Sequence, residues 1–531
     1  MRLSDKKTKR RKVPHAKGAQ AQNAGSSLRA FRHSLLLVSL SPLLLASPSS
    51  NLSAKVTDHY VLENVAPPPL LLERHGTKGT QTDGLAFFPD GRLVSCHVAG
   101  EVFTRHPKTG EWKLFAEGLH TPLGVLPLND RELLVAQRPE LTLLRDLDGD
   151  GKADEYEAFC DEFGVSGNYH EFHFGPVRDK HGNIYVALGT ASSGAGVRHE
   201  KRGRFEPRSY LQRMYACVPY RGWILKITPE GERIPFASGL RTPNGLGLDL
   251  QDRLFVTDNQ GDWVGTSKMH HVEKGKFYGH AASLVWEKEW KPDDPKPVSL
   301  PVSELDARRE TAAILFPHGL MSNSPSQPLA DSTKGKFGPY AGQLLVGEMN
   351  KGRIMRVILD EVGDKLQGAC LPFFDGNGLS TGNNRLAFSQ NGKTLYVGHS
   401  AHGWAGSHGI QSLTFTGKTP PDLLTMHLLP EGFSLTFTLP IDPSSAANPA
   451  NLPIQSYAYK YHQGYGSPQV NKQTHVPAKT TLSKDGLTLT LQVPSLQPRR
   501  LYQFSLSALK TKDGSGLLNP LVVYHAHNLR E

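Results

Sequence analysis

Between residues 83 and 400 the chain repeats one arrangement of apolar and polar positions. A short apolar strand runs into an Asp-Gly-like or Asn-Gly-like turn, and a second apolar strand follows. The pattern stands at 83–97, 121–137, 172–190, 242–260 and 384–400, with a degenerate copy from 317 to 349 that an insertion interrupts. One or two further strand-like runs follow each copy, as at 222–240 and 351–360. A unit of four short strands cannot bury both faces alone, so such units stack around an axis. The expectation is an all-β chain with a six-bladed β-propeller over residues 60–418. An array of sandwiches would fit less well, because no polar linker separates the units. After 416–424 the pattern changes. Strands alternating apolar and polar positions, separated by Pro-rich turns, predict a C-terminal immunoglobulin- or fibronectin-like β-sandwich over 425–531.

Composition agrees with this picture. Hydrophobic content of 38%, 52 Gly and 38 Pro suit turns and strand ends rather than long helices. The net charge of +10 has one source. Residues 1–33 hold ten Lys or Arg and a single acid, Asp5, which is +9; the remaining 498 residues carry +1. A basic nucleic-acid-binding face is therefore not expected on the folded body. The basic stretch leads into an apolar run at 34–46 and then small residues to Ser50. This is the layout of a secretory signal, assigned to 1–54, and it predicts an exported, periplasmic or extracellular protein. A retained N-terminal anchor is the other reading, although the run is short for a bilayer span and no other segment is long enough. Cys96, Cys160, Cys217 and Cys370 permit disulfides after export, or stand as buried thiols; their spacing excludes CxxC and CxxCH motifs.

Residues 146–157 satisfy the D-x-D-x-D-G-x5-E pattern. Asp146, Asp148, Asp150, Asp154 and Glu157 supply carboxylates, Lys152 a backbone carbonyl, and Gly151 the sharp turn that an oxygen-ligated calcium needs. Strand-like flanks predict a calcium-clamped loop rather than a helix-loop-helix sensor, with a structural role. A metal-free acidic surface turn is the alternative.

Several segments resemble the glucose/sorbosone dehydrogenase propellers that use pyrroloquinoline quinone (PQQ). They are His170 before Phe174-Gly175-Pro176 and 182–189, then 239–246 with Arg241, Thr257-Asp258-Asn259, Tyr278-Gly279-His280, and the strand pair at 340–360. The likeness covers about residues 75–417 and is nearest to exported bacterial sorbosone-dehydrogenase-like propellers. It implies oxidation of a sugar hydroxyl or aldehyde, with His170 as base and Arg241 steadying negative charge. It also implies cofactor contacts from Asp258, Asn259, Asn350, Lys351 and Arg385. The chain departs from the family in three places. The His170 loop is short, Asn350 stands before Lys351 where a lysine is usual, and Asn383-Asn384-Arg385 keeps one arginine of a pair.

Three functions compete. The first is a quinone-dependent sugar dehydrogenase passing electrons to a separate acceptor, since no haem motif is present. The second is a non-catalytic propeller binding a glycan or a protein. The third is a metal-dependent lactone hydrolase built on Asn244, Asp258 and Asn259. Asn168, Tyr169 and Glu171 around His170, and Asp262 and Trp263, are expected at the channel mouth. His399, His402 and His408 form a Gly-rich histidine cluster of unfamiliar metal spacing. The basic stretch 194–221, with Arg198, Lys201, Arg202, Arg204, Arg208 and Arg213, is expected as a solvated insertion, or as a lid recruiting an anionic sugar.

Overall fold

Alternation and tight turns produce six antiparallel four-strand units in chain order, five of them separate sheets and the fifth part of a larger sheet. The computed structural model describes residues 55–195, 201–209, 213–401 and 406–531. The signal at 1–54, Arg198 and His402 lie outside the described residues. The first sheet runs Thr82–Phe87, Leu93–His97, Val102–Arg105 and Trp112–Ala116. The second, third and fourth begin at Gly124–Pro127, His173–Arg178 and Leu246–Leu248. The fifth begins at Pro325–Ala330 and the sixth at Asn383–Phe388. The sixth takes its outer strand from the start of the described chain, Tyr60–Val65, which pairs with Gly409–Phe415.

The first strands touch in succession from sheet to sheet, and the sixth returns to the first. Glycine makes this approach possible: a Cβ on Gly124 would fall 1.6 Å from the carbonyl oxygen of Gly175 in the next sheet. Hydrophobic side chains fill the space between consecutive sheets. Val94 and Cys96 of the first sheet pack against Leu133 and Val135 of the second. Leu345 and Phe373 of the fifth pack with Leu386 and Val397 of the sixth. A strand buried on both faces reads as a continuous apolar run, as Ile184–Leu188 does.

The C-terminal region is joined to the fifth sheet. Residues 368–370 of strand Lys365–Asp375 pair with 523–525 of strand Leu521–Ala526, giving one sheet of eight strands. A second sheet, Leu423–Leu429, Gly432–Phe437, Thr488–Gln492 and Lys479–Leu482, faces it. Phe433, Leu435, Leu489 and Leu491 pack between them against Tyr502, Tyr524 and Leu371. Arg356 of the fifth unit lies fully buried and pairs with Asp422 at 3.2 Å, and Asp422 also accepts from Tyr340 and Asn519. The four cysteines are buried free thiols. Among the described residues no helix is long and apolar enough to cross a membrane.

The basic insertion is largely pinned. Arg202 donates to the Phe163 and Pro139 carbonyls and Arg208 to Glu206 and the Lys291 carbonyl, while Arg204 stacks on Trp286. Arg213 takes a different position, described next.

Candidate functional site

Each first strand begins, and each second strand ends, at the same end of its antiparallel unit. The loops there converge over the third, fourth and fifth units on a polar cavity of about 300 Å³. His170, Arg241, Asn259 and Asn350 line it together, with Thr242, Gln260, Asn323 and Ser324. Arg213 and, from the C-terminal region, Tyr465 complete the wall.

His170 leads into the first strand of the third unit. Its Nδ1 lies 2.9 Å from the Thr190 carbonyl oxygen. A carbonyl only accepts, so Nδ1 carries the hydrogen and Nε2 keeps its lone pair. Burial, then the positive field of Arg241, holds the imidazole down to about 4. It is therefore neutral at physiological pH. Asn168 fixes the backbone beneath it, accepting from the amides of His170 (3.0 Å) and Ser192 (3.1 Å). Glu171 is a buried brace for Ser166 and does not face the cavity.

Arg241 is oriented by Asp262, which accepts from its Nε at 3.0 Å, and by the Thr242 hydroxyl, which accepts from Nη1 at 3.1 Å. Burial would raise the Asp262 carboxyl, but His280 and Arg241 hold it well below the usual carboxylate range. Only glycine suits position 261, where a Cβ would stand 1.9 Å from the Arg241 Nε. The Tyr465 ring lies 4.5 Å from the Arg213 guanidinium and 5.5 Å from that of Arg241. Tyr465 is 54% exposed and Tyr169 47%, so two tyrosines flank a polar pocket.

The remaining expected residues fall elsewhere. Asp258 is fully buried and accepts from the Arg241 and Thr242 amides at 3.0 and 2.7 Å, so it supports the loop instead of touching a cofactor. Asn244 is buried and does not line the cavity, which leaves the lactone-hydrolase trio unassembled. Lys351 turns away, its Nζ donating to the Gly319 carbonyl at 2.7 Å. Arg385 lies on the inner channel, donating to the Leu123 carbonyl at 2.7 and 3.1 Å and to Asn384. His399 is buried in its strand while His408 is exposed, and the described residues show no shared metal position for them.

Sequence reasoning missed Tyr465 and Glu348. Tyr465 sits between two glycines in a sandwich turn, and that exposed aromatic was its only local signal. Glu348 is a positioning residue: fully buried, it accepts the amides of Asn323, Ser324, Asn350 and Lys351 and so aligns two pocket loops.

In the acidic loop, carboxylate oxygens of Asp146, Asp148 and Asp154 lie within 4.8 Å of one another. Asp150 accepts the Lys152 amide and is not one of the three. Glu157, at the twelfth loop position, pairs with Arg145 at 2.6 Å and is not one of them either. The loop shares no residue with the polar cavity.

Comparison with known proteins gives three findings. A family model described as a domain of unknown function, DUF7133, matches residues 108–319. No curated protein matches the chain. Among solved structures the chain is similar to a putative oxidoreductase (glucose dehydrogenase) from Thermus thermophilus, at 19% identity and TM-score 0.44, covering 67% of this chain and 99% of that one. It is similar to the soluble aldose sugar dehydrogenase of Escherichia coli in its apo form, at 16% identity and TM-score 0.44, with coverage of 67% and 99%. It is also similar to the PQQ domain of pyranose dehydrogenase from Coprinopsis cinerea in its holo form, at 12% identity and TM-score 0.45, with coverage of 70% and 99%.

Proposed function

We propose that the chain is an exported, sugar-dehydrogenase-like protein, a six-bladed propeller over 60–418 with a C-terminal sandwich over 425–531, acting on a carbohydrate hydroxyl or aldehyde. The observation that carries the reading is His170. It is neutral, fixed in one tautomer, and lines the same cavity as a braced guanidinium. Nε2 is the atom that would accept the hydroxyl proton of a bound sugar. Arg241, held by Asp262 and Thr242, keeps donors free for the negative charge that develops on that oxygen. Tyr169 and Tyr465, both exposed at the rim, offer rings on which a sugar would stack. Carbohydrate is thus the partner class, and electrons would leave to a separate acceptor protein.

The lining residues suit a flat, oxygen-rich ring system. Asn259 and Asn350 each hold a buried side-chain oxygen with no hydrogen-bond partner, an acceptor for the hydroxyl of a sugar, and Arg213 and Arg241 supply positive charge. The two arginines would hold the carboxylates of a quinone of the PQQ type, which when bound would supply the hydride acceptor. Lys351 and Arg385 take no part. Their withdrawal favours a second reading, a glycan-binding propeller without catalysis.

Calorimetric titration of the purified protein with PQQ, followed by dye reduction over a sugar panel, separates the two. Micromolar binding with turnover that His170→Asn abolishes supports the dehydrogenase. Sugar binding without PQQ binding supports the glycan reading. Calcium at Asp146, Asp148 and Asp154 is proposed as a structural clamp: chelation should lower the melting temperature and leave sugar affinity unchanged. Export predicts a mature N-terminus after residue 46, read by N-terminal sequencing.

A further inference from the structure

A second cavity, of about 940 Å³, lies between the fourth unit and the C-terminal sheet. It is remote from the chemistry above: its lining includes Lys268, Arg309, Tyr461 and His525, and none of its residues lines the first cavity. Lys268 opens the strand Lys268–His271 and is only 7% exposed. No described residue takes a hydrogen bond or an ion pair from its ammonium. Asp258 stands opposite it in the ladder and, while accepting from the Arg241 and Thr242 amides, offsets part of the burial of the Lys268 charge without a direct contact.

The surroundings make the deficit of negative charge larger. Arg309, Lys460 and Arg499 also line the cavity, and its two carboxylates are already engaged. Asp306 pairs with Arg309 at 2.6 Å, and Glu310 with Lys365 and Lys276 at 3.0 and 3.2 Å. Burial, then the charge of Arg309, pushes the Lys268 ammonium down to about 8. Lys268 Nζ opens into the cavity, where an anion in contact with it would offset the cost of holding a largely desolvated charge. The Tyr461 ring, 4.5 Å from the Arg309 guanidinium, provides an apolar wall.

We propose that this cavity binds a small organic or inorganic oxyanion, a carboxylate or a phosphate, with Lys268 as its principal contact. The test is a thermal melt of the full protein at constant ionic strength with inorganic phosphate, citrate or chloride. Wild type should gain stability with phosphate or citrate over chloride, and the more effective anion identifies the oxyanion class. Lys268→Met should melt above wild type in chloride and lose at least tenfold in apparent anion affinity. An equal response in the variant, or no response of wild type to either anion, overturns the proposal. Should the variant misfold, acetylation of wild-type lysines read by mass spectrometry decides the matter. At least threefold protection of Lys268 by the effective anion supports the site, and protection confined to surface lysines refutes it.

Discussion

Arg385 and Arg241 are both buried arginines of the sheet ring, yet they do different work. Arg385 lies beside the inner channel, where about 20 Å³ remains, room for about one water. Its donors end on the Leu123, Asn244 and Asn384 oxygens, so it ties the second, fourth and sixth units together. Burial pushes its guanidinium down to about 10, against the opposing charge of Asp83. Arg241 is held on one edge by Asp262 and lines an open cavity with the other. A saturated arginine holds sheets together, whereas a half-saturated one is available to a ligand. Burial alone does not separate them; the partners do.

Substitution at the channel is the largest way to break this contrast. Arg385→Met should cost on the order of 3 kcal/mol of stability, because several buried carbonyls lose their donor. Sugar affinity should stay within about twofold, by denaturant melts and calorimetry on one preparation. If affinity collapses while stability holds, Arg385 belongs to the pocket.

Acid comes next. Burial holds His97, His170, His399 and His525 down to about 4 and His173 to about 3 in the folded protein. The unfolded chain titrates these groups near 6.5 and so binds more protons than the folded state between those values. Stability should be fully present above about pH 6.5 and fall as pH drops toward 4. A melting temperature that is flat across that window contradicts the burial of these rings.

The smallest effect is at the rim. Tyr465→Ala should weaken sugar binding by about fivefold through lost stacking, with Tyr465→Phe close to wild type. Equal loss in both variants would place the role in the hydroxyl rather than the ring.

The repeat was legible because its signals are local: a Gly-containing turn and an alternation within some 15 residues, at 83–97 or 384–400. Fusion of the C-terminal strands to the fifth sheet was not, because residues 368–370 and 523–525 are far apart in sequence and neither segment names its partner. The boundary expected near 418–425 therefore falls inside a shared core. His170, Arg241, Asn259 and Asn350 were legible through the family resemblance; His170 and Arg241 precede a first strand and Asn259 and Asn350 follow a second strand, at one end of their units. Lys351 and Arg385 were not legible as turned from the pocket, because the Gly319 carbonyl in one case and the Leu123, Asn244 and Asn384 oxygens in the other set which way a flexible side chain turns.

The central claim is that His170 is a neutral imidazole with its Nε2 lone pair free, and nitrogen NMR tests it directly. Histidine-labelled protein, with His170→Asn for assignment, should show a protonated Nδ1 and an unprotonated Nε2 at pH 7, titrating near 4. A ring that titrates near 6.5, or that carries its hydrogen on Nε2, contradicts the account and removes His170 as the base.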